Sequence, residues 1–127
     1  MKNAIFVFIG GGAGSIARWA LTKVGFSFNF PMATFAANVI SCLLIGLLSG
    51  FLLIKSDWND ELKLILITGF CGGFSTFSTF IFETENIMQT GNLWLAFGNI
   101  ILNIIFCMLA LYVGMWFSKL FINYGIL

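Results

Sequence analysis

The chain has 127 residues, of which 60% are hydrophobic and 9% charged, with a formal net charge of +1 and a mean hydropathy of +1.03. A soluble domain carries about 25% charged residues, so these proportions exclude the water-soluble class and describe an integral membrane protein. The near-neutral balance offers no basic surface for nucleic acid, and the absence of histidine removes the commonest ligand of zinc and iron sites together with imidazole acid–base chemistry.

A helix needs about 20 mainly apolar residues to cross a bilayer. Four stretches qualify, 3–24, 32–54, 62–90 and 93–120, which predicts a single all-α membrane domain over 1–127. Met1-Lys2-Asn3 followed by "AIFVFIGGGAGSIA" imitates a signal peptide. Its removal would strip three further spans of their first partner, so it is expected to stay. Within the first span, Gly10 and Gly14 are spaced for close helix packing, by default inside one subunit. Arg18, in "GSIARWALTK", has two readings of equal weight. It is a functional charge at membrane depth, or it snorkels to the headgroups beside Trp19.

"GFSFNFP" breaks the helix at Gly25, Asn29 and Pro31. The second span carries Asn38 one turn after Thr34, and a second close-packing pair, Gly46 and Gly50. A surface loop, "KSDWNDELK", follows, in which Asp57 or Asn59 would cap the third span. "QTGN" at 89–92 makes the last turn. The fourth span sets Asn99, Asn103 and Cys107 at i, i+4 and i+8 on one face. Such a stripe either glues helices together or, with Asn38 and the hydroxyls of the third span, forms a polar track suited to permeation. Cys42, Cys71 and Cys107 form no C-x-x-C pair, and each reads as a small buried hydrophobe.

An even number of spans puts both termini on one side. Lys2, Lys55, Lys63 and Lys119 then share that side, against Lys23 and Arg18 on the other. This bias is shallow for the positive-inside rule, so the chain is able to insert either way up. An up-and-down pair would be a closed two-fold dimer with its axis in the membrane plane. Four helices alone bury little, which also favours an oligomer.

The third span contains "GFCGGFSTFSTF" at 69–80. Gly69, Gly72 and Gly73 weaken a helix by roughly 1 kcal/mol each relative to alanine. Ser75, Thr76, Ser78 and Thr79 are able to satisfy backbone groups freed by a break. A break at this depth is tolerable only where protein covers it or it lines a cavity. Freed carbonyls suit an alkali cation, and two breaks meeting on a dimer axis would share one. Phe77 and Phe80, at i and i+3, share a face with hydroxyl residues. Their positive ring edges would accept a small anion. The carboxylates Glu83 and Glu85 come late in this span, and the other three spans have none near their middle. A proton-coupled multidrug exporter of dual topology, the alternative reading, would need such an acid. A purely structural membrane subunit is a third reading, and the chain has no nucleophile–base set for an enzyme.

"GFCGGFSTFSTFIFE" resembles the motif of the Fluc/CrcB family of fluoride channels, G-F-x-G-G-x-T-T-F-S-T-F followed by glutamate. "GGGAGSIARW" in the first span and "ATFAANVISCLLIG" in the second extend the likeness over nearly the whole chain. The resemblance implies an antiparallel, dual-topology homodimer in the bacterial inner membrane, with two fluoride pores and a central structural Na+. It implies passive export of fluoride down the membrane potential. Phe77, Phe80 and Asn38 match the pore residues, with Ser78, Thr79 and Asn103 near the polar track. Arg18 falls near the vestibule, and Glu83 is the glutamate after the motif. Backbone carbonyls of Gly72 and Ser75 would hold the Na+; Ser75 stands where the family often has threonine, a change that leaves a carbonyl ligand untouched.

Overall fold

The computed structural model describes residues 2–24, 30–54 and 59–123. Gly25, Asn29, Lys55 and Asp57, named above as loop residues, lie outside them. The fold is all-α. Helix α1 spans Lys2–Thr22 and α2 spans Met32–Ile54. The third membrane span, Asp60–Gln89, is composite. It comprises α3 (Asp60–Lys63), a π-helical segment (Leu64–Cys71), α4 (Gly72–Phe74) and, after an interruption, α5 (Phe77–Gln89). Helix α6 spans Leu93–Asn123. Four of these stretches are long and apolar enough to cross a bilayer, so the chain is a multi-pass membrane protein.

Local chemistry sets the ends. Asn59, not an aspartate, caps α3: its side chain accepts the Glu61 N–H at 3.0 Å. Lys2 forms a 2.5 Å ion pair with Glu61, which places the N-terminus beside the start of the third span, on one side of the bundle. At the opposite end of that span the chain turns through Gly91, whose φ of 81° is the left-handed conformation that closes helices. Asn92 then caps α6, accepting the Leu95 N–H at 3.1 Å.

Two backbone-to-backbone seams hold the bundle. In one, Gly10 and Gly14 of α1 lie against the π segment and α4; a Cβ at Gly10 would strike the Ile65 carbonyl, and one at Gly14 the Phe70 carbonyl. In the other, a Cβ at Gly46 of α2 would strike the Leu111 carbonyl of α6, and one at Gly50 the Ser118 hydroxyl. Both glycine pairs therefore pack within the subunit, where small residues let helices approach.

The polarity of the molecule is that of a protein in lipid. The largest fully buried side chains are Asn99, Cys71, Ser41 and Ser118, whereas Phe8 and Trp94 are 80% and 90% exposed. Hydrocarbon faces outward, and the buried side-chain hydrogen-bonding groups of the described residues, Glu83 Oε2 excepted, find partners.

Candidate functional site

The site is built around the interruption in the third span. The π segment widens the helix just before it: the Gly72 N–H reaches the Ile67 carbonyl, five residues back. Ser75 then turns extended, with ψ 159°, and Thr76 follows with φ −155° and ψ 116°. In an uninterrupted helix the Thr76 N–H would go to the Gly72 carbonyl. Here it donates to Asn38 Oδ1 of α2 at 2.8 Å, while Asn38 Nδ2 reaches the Thr76 carbonyl at 3.4 Å.

Other freed groups are met in the same way. The Gly73 carbonyl accepts Arg18 Nε at 3.3 Å and Ser15 Oγ at 3.4 Å. Arg18, half-buried, therefore reaches the break through its Nε. Thr76 Oγ1 restarts the helix as the cap of α5, accepting the Thr79 N–H at 3.2 Å and donating to Thr79 Oγ1 at 3.0 Å. Ser78 Oγ lies 3.3 Å from Thr76 Oγ1. The Cys71 carbonyl accepts both Ser41 Oγ and Ser75 Oγ at 2.9 Å. Satisfying the break thus needs three helices and not only its own hydroxyls.

From Asn38 a polar chain runs into the bundle. Asn38 Nδ2 donates to Asn103 Oδ1 at 3.3 Å, Asn103 Nδ2 to Asn99 Oδ1 at 2.9 Å, and Asn99 Nδ2 to Thr84 Oγ1 at 2.8 Å. Thr84 closes it by donating to the Phe80 carbonyl at 2.7 Å. Thr84 and Ser41 are the members that sequence reasoning missed. Each is one of three hydroxyl residues in its helix, and its partner comes from a distant part of the chain.

A cavity of about 250 Å³ opens beside the break. Phe77 and Phe80 form one wall, their centroids 5.7 Å apart and their planes tilted by 46°. Asn38, Asn103, Ser75 and Thr76 supply its polar lining, and Ile104, Cys42 and Cys107 complete it. The two rings differ: Phe80 is 5% exposed and Phe77 74%. Glu83 lies outside this lining, half-buried beside Thr34 of α2, with Oε2 buried and without a hydrogen-bond partner. Ser78 and Gly72 are exposed and Thr79 half-buried. The expectation of buried cysteines holds for Cys71, whereas Cys42 and Cys107 are half-buried and line one cavity.

Among proteins of known description, the chain is 37% identical to the fluoride-specific ion channel FluC of Gloeothece citriformis, over 94% of this chain and 98% of that one. It is 40% identical to the FluC of Prosthecochloris aestuarii, over 91% of each chain. With the FluC of Chlorobaculum tepidum the identity is 47%, over 72% of this chain and 74% of the other. The model of the family described as "CrcB-like protein, Camphor Resistance (CrcB)" matches residues 5–115, which include every element of the interrupted span and its cavity. The chain therefore belongs to the CrcB/FluC fluoride channel family.

Proposed function

We propose that this protein is a passive, fluoride-selective channel that lets the inside-negative membrane potential drive fluoride out of a bacterial cell. The observation that carries the reading is one cavity in which the ring pair Phe77 and Phe80 faces the amide-bearing side chains Asn38 and Asn103. A small anion passing there would lose water and gain positive ring edges and N–H donors, which is how a pore replaces hydration. Ser78 and Thr79, around the cap of α5, would extend the track; Arg18 and Glu83 would mark its ends.

The working unit proposed is an antiparallel pair of identical chains. Gly72 is exposed at membrane depth, bears no side chain, and has lost to Asn38 the amide that an unbroken helix would give its carbonyl. Lipid cannot satisfy such a group, so a second copy is the expected cover. Two breaks meeting on the axis would offer the Gly72 and Ser75 carbonyls twice over. The residues fit a structural Na+, an ion that takes neutral oxygen ligands and would there neutralise the converging carbonyl dipoles. Each cavity lies off that axis, giving two pores.

The test is functional rescue. Cells without a fluoride exporter should become fluoride-tolerant on expressing this chain, and purified chain in liposomes should release trapped fluoride but not drive efflux of cationic drugs with pH. Membrane expression without either fluoride readout would refute the reading, and pH-driven drug efflux lost in Glu83→Gln would replace it with a proton-coupled exporter.

A further inference from the structure

Cys42 and Cys107 line the cavity without a part in the conduction proposed above. Their pairing follows from how α2 and α6 meet. The two helices run parallel, and their contacts climb in one order: Asn38 with Asn103, Gly46 with Leu111, Gly50 with Ser118. Cys42 is four residues beyond Asn38 and Cys107 four beyond Asn103, so a rung of thiols lies about one helical turn, about 6 Å, past the amide rung. At the next rung the backbones are so close that a Cβ on Gly46 or Gly114 would strike the opposite helix. The rung order brings these two short side chains to the same level of the seam. Cys42 and Cys107 line the same cavity, and neither is in a disulfide.

The geometry points to this thiol pair as a binding site for a soft, two-coordinate divalent cation of the mercuric class, which when bound closes the cavity to anions. Thiolates select soft metals, and two of them on facing helices suit two-coordinate binding. Four-coordinate ions such as zinc lack ligands here: among the described residues no group of three His, Cys, Asp or Glu side chains comes together. Charge decides the valence. Two thiolates on a divalent ion give a neutral complex that a low-dielectric site tolerates, whereas a monovalent ion would leave a net negative charge. With mercuric chloride, two S–H and two Hg–Cl bonds break and two Hg–S bonds form. Two protons and two chlorides leave, and no electron changes hands.

Two arms test this on the full-length purified chain with mercuric chloride as the probe. The first arm, intact mass with a thiol count, should show one mercury per chain and two thiols consumed, retained against a monothiol wash and released by a dithiol. Cys42→Ala and Cys107→Ala should each lose that retention. Equal retention in the double variant, which keeps Cys71, would overturn the site. The second arm rests on the channel reading and measures liposome fluoride efflux, each variant scored against its own metal-free rate. At about ten times the dissociation constant, occupancy is about nine in ten, so wild-type efflux should fall about tenfold while the variants keep theirs. Metal retained with efflux unchanged overturns the closure. A chain that never conducts refutes the channel reading, and the mass arm still decides the site.

Discussion

Asn38 grips both sides of the peptide backbone at Thr76: its Oδ1 accepts the N–H at 2.8 Å and its Nδ2 reaches the carbonyl at 3.4 Å. One carboxamide thereby supplies the acceptor that the break takes from the Thr76 N–H, and the same Nδ2 continues to Asn103. The residue that stabilises the interruption is also the one that faces the cavity.

Asn38→Ala should accordingly affect stability and flux together. It leaves a half-buried N–H at Thr76 without its acceptor, at a cost of about 1–3 kcal/mol. Thermal unfolding in detergent should shift downward, and liposome fluoride efflux should be lost. Asn38→Asp keeps the acceptor but loses the donors to Thr76 and Asn103, so it should retain more stability than alanine while still losing flux. Unchanged efflux in Asn38→Ala would remove Asn38 from the pathway.

The two rings should separate in their effects. Phe80 is buried, so Phe80→Ile removes a ring edge in a dry wall, worth about 1–1.5 kcal/mol, and should slow efflux about tenfold while assembly by gel filtration is retained. Phe77 projects outward, so its packing waits on whatever covers the chain. Phe77→Ile should therefore alter assembly as well as flux.

Thr76→Val tests the restart of α5. The change keeps the shape and deletes the cap that receives the Thr79 N–H, costing about 1 kcal/mol; Thr76→Ser should restore it. Denaturation midpoints of the three proteins in one detergent decide the point.

Asn99 is fully buried between Thr84 and Asn103. Asn99→Ala should cost about 1–3 kcal/mol, because buried Thr84 Oγ1 loses its donor while Asn103 Nδ2 loses the Asn99 side-chain oxygen and keeps only the Asn99 carbonyl. Thr84→Val added to it should cost much less than it does alone, and additive losses in the double-mutant cycle would show that the two do not act as one network.

The glycine seams give a steric prediction with an internal control. Gly14→Ala places a methyl group against the backbone of Phe70 and Phe74, which cannot step aside as a side chain would, and should destabilise by about 1–3 kcal/mol or more. Gly12→Ala, two residues earlier and facing open space, should be neutral or slightly stabilising in a helix.

Much of this architecture is written along the chain. Hydropathy alone locates four spans, because lipid requires an unbroken run of apolar side chains wherever a helix crosses it. The glycines and hydroxyls of 69–80 disclose the interruption, since that composition weakens a helix locally, and Phe77 and Phe80 announce a shared face by their spacing. What no local pattern holds is the identity of partners. That Asn38 seizes Thr76, that Arg18 reaches Gly73, and that Thr84 ends the asparagine chain depend on helices packed from distant parts of the sequence. The same is true of Cys42 and Cys107, 65 positions apart yet lining one cavity. Helix periodicity fixes which residues share a face, but which faces meet is decided by the close approach at Gly10, Gly14, Gly46 and Gly50, and only the folded bundle sets that register.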